Sequence, residues 1–195
     1  MNTLSSSLFI DQYSPTLLSL ALLIGGIFSS LTVAAEETDT KGSCPAIFQH
    51  KMKQLHSNNM VDLCEVSAGS PVLVVNTASH CGFTDQFGDL EKLHQQYQSA
   101  GLVIVGVASD SFNQEADTEK EAADVCFRNF GVSFTMLAPV AVKGSKAHPL
   151  FKQLAKQAGF PRWNFYKYLI NAEGNVVESW SSFGVPDGDD IAKVL

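Results

Sequence analysis

Three kinds of side chain in this sequence could do redox chemistry together: the thiol of Cys81, the amides of Gln114 and Asn164, and the indole N–H of Trp163. Cys81 follows an apolar, β-branched run, Val72-Leu-Val-Val-Asn-Thr77. From Thr84 onward Phe87, Leu90, Leu93 and Tyr97 fall on one helical stripe. A thiol between the two lies where a strand hands over to a helix N-terminus, and the free N–H groups and dipole there favour the thiolate, the reactive form of cysteine. Neutral donors such as Gln114, Trp163 and Asn164 would solvate that thiolate without neutralising it as an ammonium would. They would also steady the oxyanion that a peroxide sheds under attack. Each residue has a structural reading as well: Cys81 as a small buried apolar group, Trp163 as core, Asn164 as a turn residue, Gln114 as a solvated loop side chain. The residue types alone leave both open.

The remaining cysteines divide differently. The chain has four, Cys44, Cys64, Cys81 and Cys126, with no C-x-x-C pair and no Cys/His spacing of a zinc site. The five histidines, His50, His56, His80, His94 and His148, are scattered, so no metal is expected. Cys44 and Cys64 flank two strand-like runs, Ile47–Met52 and Met60–Cys64, around the turn-forming His56-Ser-Asn-Asn59. Folded as a hairpin, these runs would bring the two sulfurs together as a structural disulfide worth about 3 kcal/mol. A disulfide fits an exported chain, and the N-terminus reads that way. No charge occurs from Gln12 to Ala35, and the apolar core ends in Thr32-Val-Ala-Ala35 ahead of Glu36-Glu-Thr-Asp39. Residues 1–35 are therefore expected to be a secretory signal cleaved after Ala34 or Ala35, which places the protein in the periplasm or otherwise outside the cytoplasm. The segment carries no Lys or Arg before its apolar core and, at roughly 20 apolar residues, is also long enough to stay as a membrane anchor.

Residues 36–43 read as a flexible lead-in and 44–195 as one domain. Its thirteen Phe and two Trp suffice for a core. The net charge of −7, without a basic block, argues against a nucleic-acid partner. Gly101–Ala108 is a second buried strand, and with the first strand and its helix it makes a βαβ unit that calls for parallel pairing. Thr118-Glu-Lys-Glu121 is a capping box opening a helix whose face carries Ala122, Val125, Cys126 and Asn129. A short strand is expected between Phe134 and Val142, then a helix from His148-Pro149 to Gly159. A hairpin follows across Asn171-Ala-Glu-Gly174, and a last helical piece runs from Asp187 to Leu195. The order β-α-β-α-(β)-α-β-β-α describes an α/β protein with a mixed central sheet flanked by helices, most commonly a thioredoxin-like fold, here with an N-terminal β-hairpin extension. In such a sheet reactive residues gather at the C-terminal ends of the parallel strands. That puts Cys81 and the loop Ser109-Asp-Ser-Phe-Asn-Gln-Glu115 on one edge, within reach of Arg162-Trp-Asn-Phe165.

Val74-Val-Asn-Thr-Ala-Ser-His-Cys-Gly-Phe-Thr84 resembles the signature of the glutathione peroxidase family around its catalytic Cys or selenocysteine. Phe112-Asn-Gln-Glu115 is similar to that family's Phe-Gly-x-Gln-Glu loop, and Trp163-Asn-Phe165 to its Trp-Asn-Phe motif. Gly131-Val-Ser-Phe134, Val142-Lys-Gly144 and Ala147-His-Pro149 fall in family order between them. The resemblance covers about Ile47 to Ser182. It implies a peroxidase of the EC 1.11.1 class with a tetrad of Cys81, Gln114, Trp163 and Asn164. Cys81 would be oxidised to a sulfenic acid by hydrogen peroxide or by organic and lipid hydroperoxides. It also implies that Cys126, which composition alone marks only as a small residue on a buried helical face, is the resolving cysteine. The reductant would be a thioredoxin-like protein or glutathione, with no bound cofactor. The short segment between Phe151 and Trp163 resembles members without an oligomerisation loop, so a monomer is expected.

The sequence departs from the family at the loop 107–115, which is one residue shorter and lacks the Pro and Gly that follow the Glu. It has Ser109 where Cys or Ser is common and Asp110 where Asn is usual. A carboxylate at 110, if close to Cys81, would raise the thiol's pKa and slow it. Two rival functions use the same residues: a periplasmic thiol sensor or relay that is oxidised once and passes that oxidation on, and a family member impaired by its altered loop.

Overall fold

The structure, a computed structural model, describes residues 44–195. The expectations for the signal or anchor at 1–35 and the lead-in at 36–43 lie outside the described residues. Among the described residues no helix is long and apolar enough to cross a membrane.

The centre is a five-stranded sheet in the order β5-β4-β3-β6-β7. β3 (Val72–Thr77) and β4 (Val103–Ala108) pair in parallel, as the βαβ reading requires, with α2 (Gln86–Tyr97) crossing between them. β5 (Thr135–Leu137) adds in parallel to β4. β6 (Lys167–Ile170) runs antiparallel to β3, and β7 (Val176–Trp180) antiparallel to β6. This is the thioredoxin-like arrangement expected from the order of elements. Every side chain of β3 is buried, as a strand covered on both faces demands.

The period of two along the strands sorts the core into two clusters. Leu73, Val75, Ile104 and Leu169 lie in one with α2, and with α3 (Glu119–Ala123) through Ala122 and Ala123. Val72, Val74, Val105, Tyr168 and Ile170 lie in the other with α4 (Pro149–Ala158). Cys81 and Cys126 belong to the first cluster, while Cys44 packs against the second. Gly106 in β4 is required by its neighbour: a Cβ there would meet the Met136 sulfur at 2.2 Å.

Local chemistry explains the boundaries. α4 opens with His148, whose Nδ1 accepts the Leu150 N–H at 3.2 Å, then Pro149 at the first helical position, and it ends at Gly159 with φ 82°. The β6–β7 turn closes through Asn171, whose carbonyl accepts from Gly174 and whose side chain accepts from Asn175, both at 2.9 Å. α5 (Gly188–Ile191) begins with a reciprocal capping box between Asp187 and Asp190.

The N-terminal hairpin is present but shorter than its hydrophobic runs. β1 (Lys51–Lys53) pairs antiparallel with β2 (Met60–Asp62), and Ile47 and Phe48 lie instead in a 3₁₀ turn, Ala46–Phe48. Leu63 and Cys64 belong to α1 (Leu63–Ser67), because the Asp62 carboxylate accepts the Cys64 N–H at 2.9 Å and caps a helix there. Even so, Cys44 and Cys64 are joined as expected, with Cα atoms 5.6 Å apart. The hairpin docks on the free side of β5 through Leu55 N–H to Met136 O at 3.0 Å and Ala138 N–H to Lys53 O at 2.8 Å. An otherwise open sheet edge is thereby covered.

The bridge closes a loop of 20 residues. Replacing both cysteines, Cys44→Ala with Cys64→Ala, should lower unfolding stability by about 3 kcal/mol. A urea titration in which the double variant matched the wild type would show that the hairpin holds without its cross-link.

Candidate active site

Cys81 lies one short loop beyond the C-terminal end of β3 and is 7% exposed. Its carbonyl accepts the Thr84 N–H at 3.0 Å and the Thr84 hydroxyl at 2.5 Å. Bonds of the same i to i+3 kind follow at Phe83–Gln86, Thr84–Phe87 and Asp85–Gly88. The chain from Cys81 to α2 is thus a tight helical lead-in, and α2 proper begins at Gln86 rather than at Thr84, whose hydroxyl is spent on Cys81. Cys81 stands at the mouth of this turn, as its place in the sequence requires.

The loop after β4 closes over the same edge. Its shortened form is held by Ser111 N–H to Ser109 Oγ at 3.1 Å and by Asn113 N–H to Asp110 O at 3.0 Å. Asn113 takes φ 55°, a left-handed conformation that asparagine tolerates better than most residues. Asp110, the departure that threatened the thiol, is exposed, and its carboxylate accepts the Glu115 N–H at 3.2 Å. The carboxylate turned inward is that of Glu115. It accepts from the Ser79 hydroxyl, from Ser79 N–H at 3.2 Å and from Ala116 N–H at 2.9 Å. Burial raises its pKa above the ordinary carboxylate value, although these hydrogen bonds work the other way.

The next residue back, Gln114, is what joins the loop to Cys81. Its carbonyl accepts the N–H of His80 at 2.9 Å, and its side-chain Oε1 accepts from Asn164 Nδ2 at 3.0 Å. Gln114 is half-buried and bonded, not a solvated loop side chain. Asn164 is fully buried, and its Oδ1 has no hydrogen-bond partner among the described residues. An unpaired buried acceptor is rare among buried polar atoms. Trp163 is not core: it is 42% exposed and leans on Phe112 at 5.2 Å, with the Lys143 ammonium 3.9 Å over the Phe112 ring. The tetrad residues Gln114 and Asn164 are therefore in direct contact, and Trp163 adjoins them through the chain.

Cys126 does not sit on an ordinary helix. α3 stops at Ala123, and Asp124–Asn129 is a π-helical segment that buries Cys126 to 1% exposure and leaves Asn129 in solvent. The wider turn shifts the face predicted from a 3.6-residue period, which is why Asn129 falls off it. Burial, with the charge of Glu115 added, pushes the Cys126 thiol up to about 12. Cys81 and Cys126 are both free thiols.

Three residues that hold the site escaped the sequence reading. Asn76, 0% exposed in β3, donates from Nδ2 to Trp163 O at 3.1 Å and accepts from Tyr166 N–H at 3.1 Å, while its carbonyl accepts from Phe165 N–H at 2.6 Å. Ser182 donates from Oγ to Asn164 O at 2.6 Å. Lys167, also buried, donates to Gln86 Oε1 and to Gly184 O at 2.7 Å, tying the start of α2 to the turn after β7. A lone Asn inside an apolar β-branched run was the available signal for Asn76. No sequence signal marked Lys167, whose polar–apolar alternation with Tyr168 reads as a solvent-facing strand position.

Removing the Asn76 side chain (N76A) leaves buried backbone groups unpaired. It should cost about 1–3 kcal/mol of stability and slow the reaction of Cys81 with peroxide; a variant equally fast and equally stable would deny Asn76 its role. Lys167 gives a pH signature. Burial holds its pKa down at about 8, with only the Asp89 charge opposing. Between about pH 8 and the ordinary lysine range the unfolded chain binds a proton that the folded chain does not, so stability from this residue rises with pH across that window. The urea midpoint of the wild type minus that of K167M should climb over the same interval. A flat difference would mean that Lys167 titrates normally.

The relatives of this chain agree with the geometry. A profile of the glutathione peroxidase family matches residues 47–155. The glutathione peroxidase-like peroxiredoxin gpx1 of Schizosaccharomyces pombe is 44% identical over 135 residues, 65% of this chain and 85% of its own. The glutathione peroxidase of Lactococcus lactis is 43% identical over 135 residues, 65% and 86% of the two chains. Among solved structures, Trgpx in its apo form superposes with a TM-score of 0.56 at 31% identity, covering 75% of this chain and 91% of that one. A secreted disulfide oxidoreductase of Mycobacterium tuberculosis gives a TM-score of 0.53 at 14% identity over 75% and 94% of the chains, a likeness of fold only. With the ordered motifs, the thioredoxin-like sheet and these relatives in agreement, the chain belongs to the glutathione peroxidase family.

Proposed function

We propose that Cys81 is the peroxidatic thiol of a peroxidase that reduces hydrogen peroxide or organic and lipid hydroperoxides, with Gln114, Trp163 and Asn164 around it and Cys126 as its resolving partner. The observation that carries this reading is the closure of the β4 loop on the Cys81 turn, through His80 N–H to Gln114 O and Asn164 Nδ2 to Gln114 Oε1. In the first step the Cys81 sulfur attacks the outer peroxide oxygen, the O–O bond breaks, and Cys81 becomes a sulfenic acid. The departing alkoxide or hydroxide takes up the proton that the Cys81 thiol gave up on ionising and leaves as alcohol or water. The Gln114 amide and the Trp163 indole supply donors for the charge that develops.

In the second step Cys126 attacks the sulfenic sulfur and water leaves. Both thiols belong to one buried cluster, Cys81 at 7% and Cys126 at 1% exposure. In this cycle the segment carrying Cys126 opens to bring the Cα atoms within about 7 Å, as a disulfide requires. Its construction favours opening. A π turn is a rare departure from the α-helix, frequent at functional sites, and α3 before it is only five residues long. Fixed points bound the moving part. Thr118 caps α3 by accepting the Glu121 N–H, and beyond the π turn Ser133 donates from N and Oγ to Glu91 of α2 at 2.8 and 2.6 Å. Burial works against the Glu91 charge, yet the bonds from Ser133 and Gln95 hold its pKa below the usual range, which keeps the anchor ionised at neutral pH.

The disulfide formed is reset by a thioredoxin-like protein, or by glutathione, with no bound cofactor, and the chain acts as a monomer outside the cytoplasm, in the periplasm where the organism has one. The Cys44–Cys64 bridge supports that location, since such bonds persist in oxidising compartments. The N-terminal segment decides whether the domain is released or held at a membrane.

Cys81→Ser should reduce peroxide consumption to background. Cys126→Ala should consume one equivalent, accumulate the sulfenic acid and then stop when the only reductant is a thioredoxin-like protein. Sustained turnover by the second variant would remove Cys126 from the cycle, and unchanged turnover by the first would place the chemistry elsewhere.

A further inference from the structure

The inward carboxylate of Glu115 is not used in the steps above, yet it stands between the two thiol-bearing segments. On one side it holds Ser79, two residues before Cys81, through that residue's hydroxyl and N–H. On the other, it shares a cleft with Asp124 and Val125 of the segment that carries Cys126. It also lines an open cleft of about 430 Å³, wide enough for solvent, together with His80, Asp117, Glu121, Asp124 and Val125. His80 immediately precedes Cys81, and Asp124 and Val125 immediately precede Cys126. The cleft therefore opens between the segments that must meet.

We infer that Glu115 is the general base, and then the general acid, of the resolving step. The inference rests on the reading of Cys126 as the resolving thiol. The Cys126 S–H bond breaks and its proton passes to the Glu115 carboxylate. The Cys126 sulfur then bonds to the Cys81 sulfur, and the Cys81 S–O bond breaks. The departing hydroxide takes the proton back from Glu115 and leaves as water. One sulfur is oxidised and the other reduced, to the common disulfide level, so no oxidant is needed beyond the hydroperoxide already consumed.

The need for a base follows from the chemistry. Only the thiolate attacks; burial pushes the Cys126 thiol up while its segment is closed, and even an exposed thiol, at about 8.5, is mostly protonated at neutral pH. Burial raises the affinity of Glu115 for a proton and so suits it to accept one. The other charged groups facing it are worse placed. Asp124 is paired with Lys120 at 2.6 Å and with Arg128, which hold its pKa low. Asp110 is exposed and engaged by the Glu115 N–H, and Asp117 and Glu121 are exposed. His80, exposed at the Cys81 end of the cleft, is the competing base.

The test uses the full, reduced chain with the structural bridge intact. One equivalent of hydrogen peroxide is added, samples are quenched over time across a pH series, and dimedone-trapped sulfenic acid and the Cys81–Cys126 disulfide are counted by mass spectrometry. In E115Q the disulfide should form on the order of 10²-fold more slowly, so that sulfenic acid accumulates. The acid limb of the wild-type profile, set by carboxylate ionisation, should vanish from E115Q and return in E115D. S79A breaks the clamp but keeps the carboxylate, and must retain the acid limb; its loss there would reduce Glu115 to holding Ser79. Wild-type rates in E115Q, or an acid limb that disappears in H80Q instead, would overturn the inference. A wild type that forms no Cys81–Cys126 disulfide at all would instead sink the reading of Cys126.

Discussion

One buried carboxamide governs the geometry of this site. Asn76 sits near the C-terminal end of the central strand, where a polar side chain without partners would be costly. It is satisfied only by the backbone of 163–166. That stretch needs holding, because Phe165 lies at φ 59°, a conformation a bulky side chain resists. The kink turns Trp163 outward and Asn164 inward from adjacent positions. Asn164 then meets Gln114, and Gln114 meets the residue before Cys81. Strand, kink and loop form one hydrogen-bonded circuit, whose connections at Asn76 and Asn164 are buried.

Against this fixed half stands a yielding one. Cys81 is set at the end of a strand buried on both faces, whereas Cys126 rides a π turn between a five-residue helix and a loop. In the proposed cycle the movement falls to the segment of Cys126, the less regular of the two. Under the proposed roles, the division suits a thiol that meets small substrates in a preset cage and a partner thiol that travels to it.

Much of this was legible beforehand. The β-branched runs, the capping residue Thr118, the His148-Pro149 start and the Gly159 stop each act over a few residues, and those are the elements whose places the sequence predicts; the last helix starts after Asp187 as expected but stops at Ile191, short of Leu195. The order of strands and helices then left few topologies, and the edge shared by Cys81 and Gln114 followed from parallel pairing. What escaped depended on distant partners. The π turn adds a residue to a period that otherwise reads as helix, and the early helix at Leu63 turns on whether Asp62 faces the backbone. Lys167 is buried only because Gln86 and Gly184, far away in sequence, receive it. Asp110 looked like a threat to the thiol from its position, but its carboxylate is spent on its own loop.

The placement of the four sulfurs carries a last consequence. Cys44 packs against one side of the central sheet, while Cys81 and Cys126 lie together on the other. Exchange between a thiol and a disulfide proceeds by direct attack of sulfur on sulfur, and a layer of closely packed strands admits no such approach. The sheet thus acts as a partition between two electron inventories. One, under the proposed cycle, turns over with every substrate molecule. The other is set once, at folding, and is shielded from scrambling by the first.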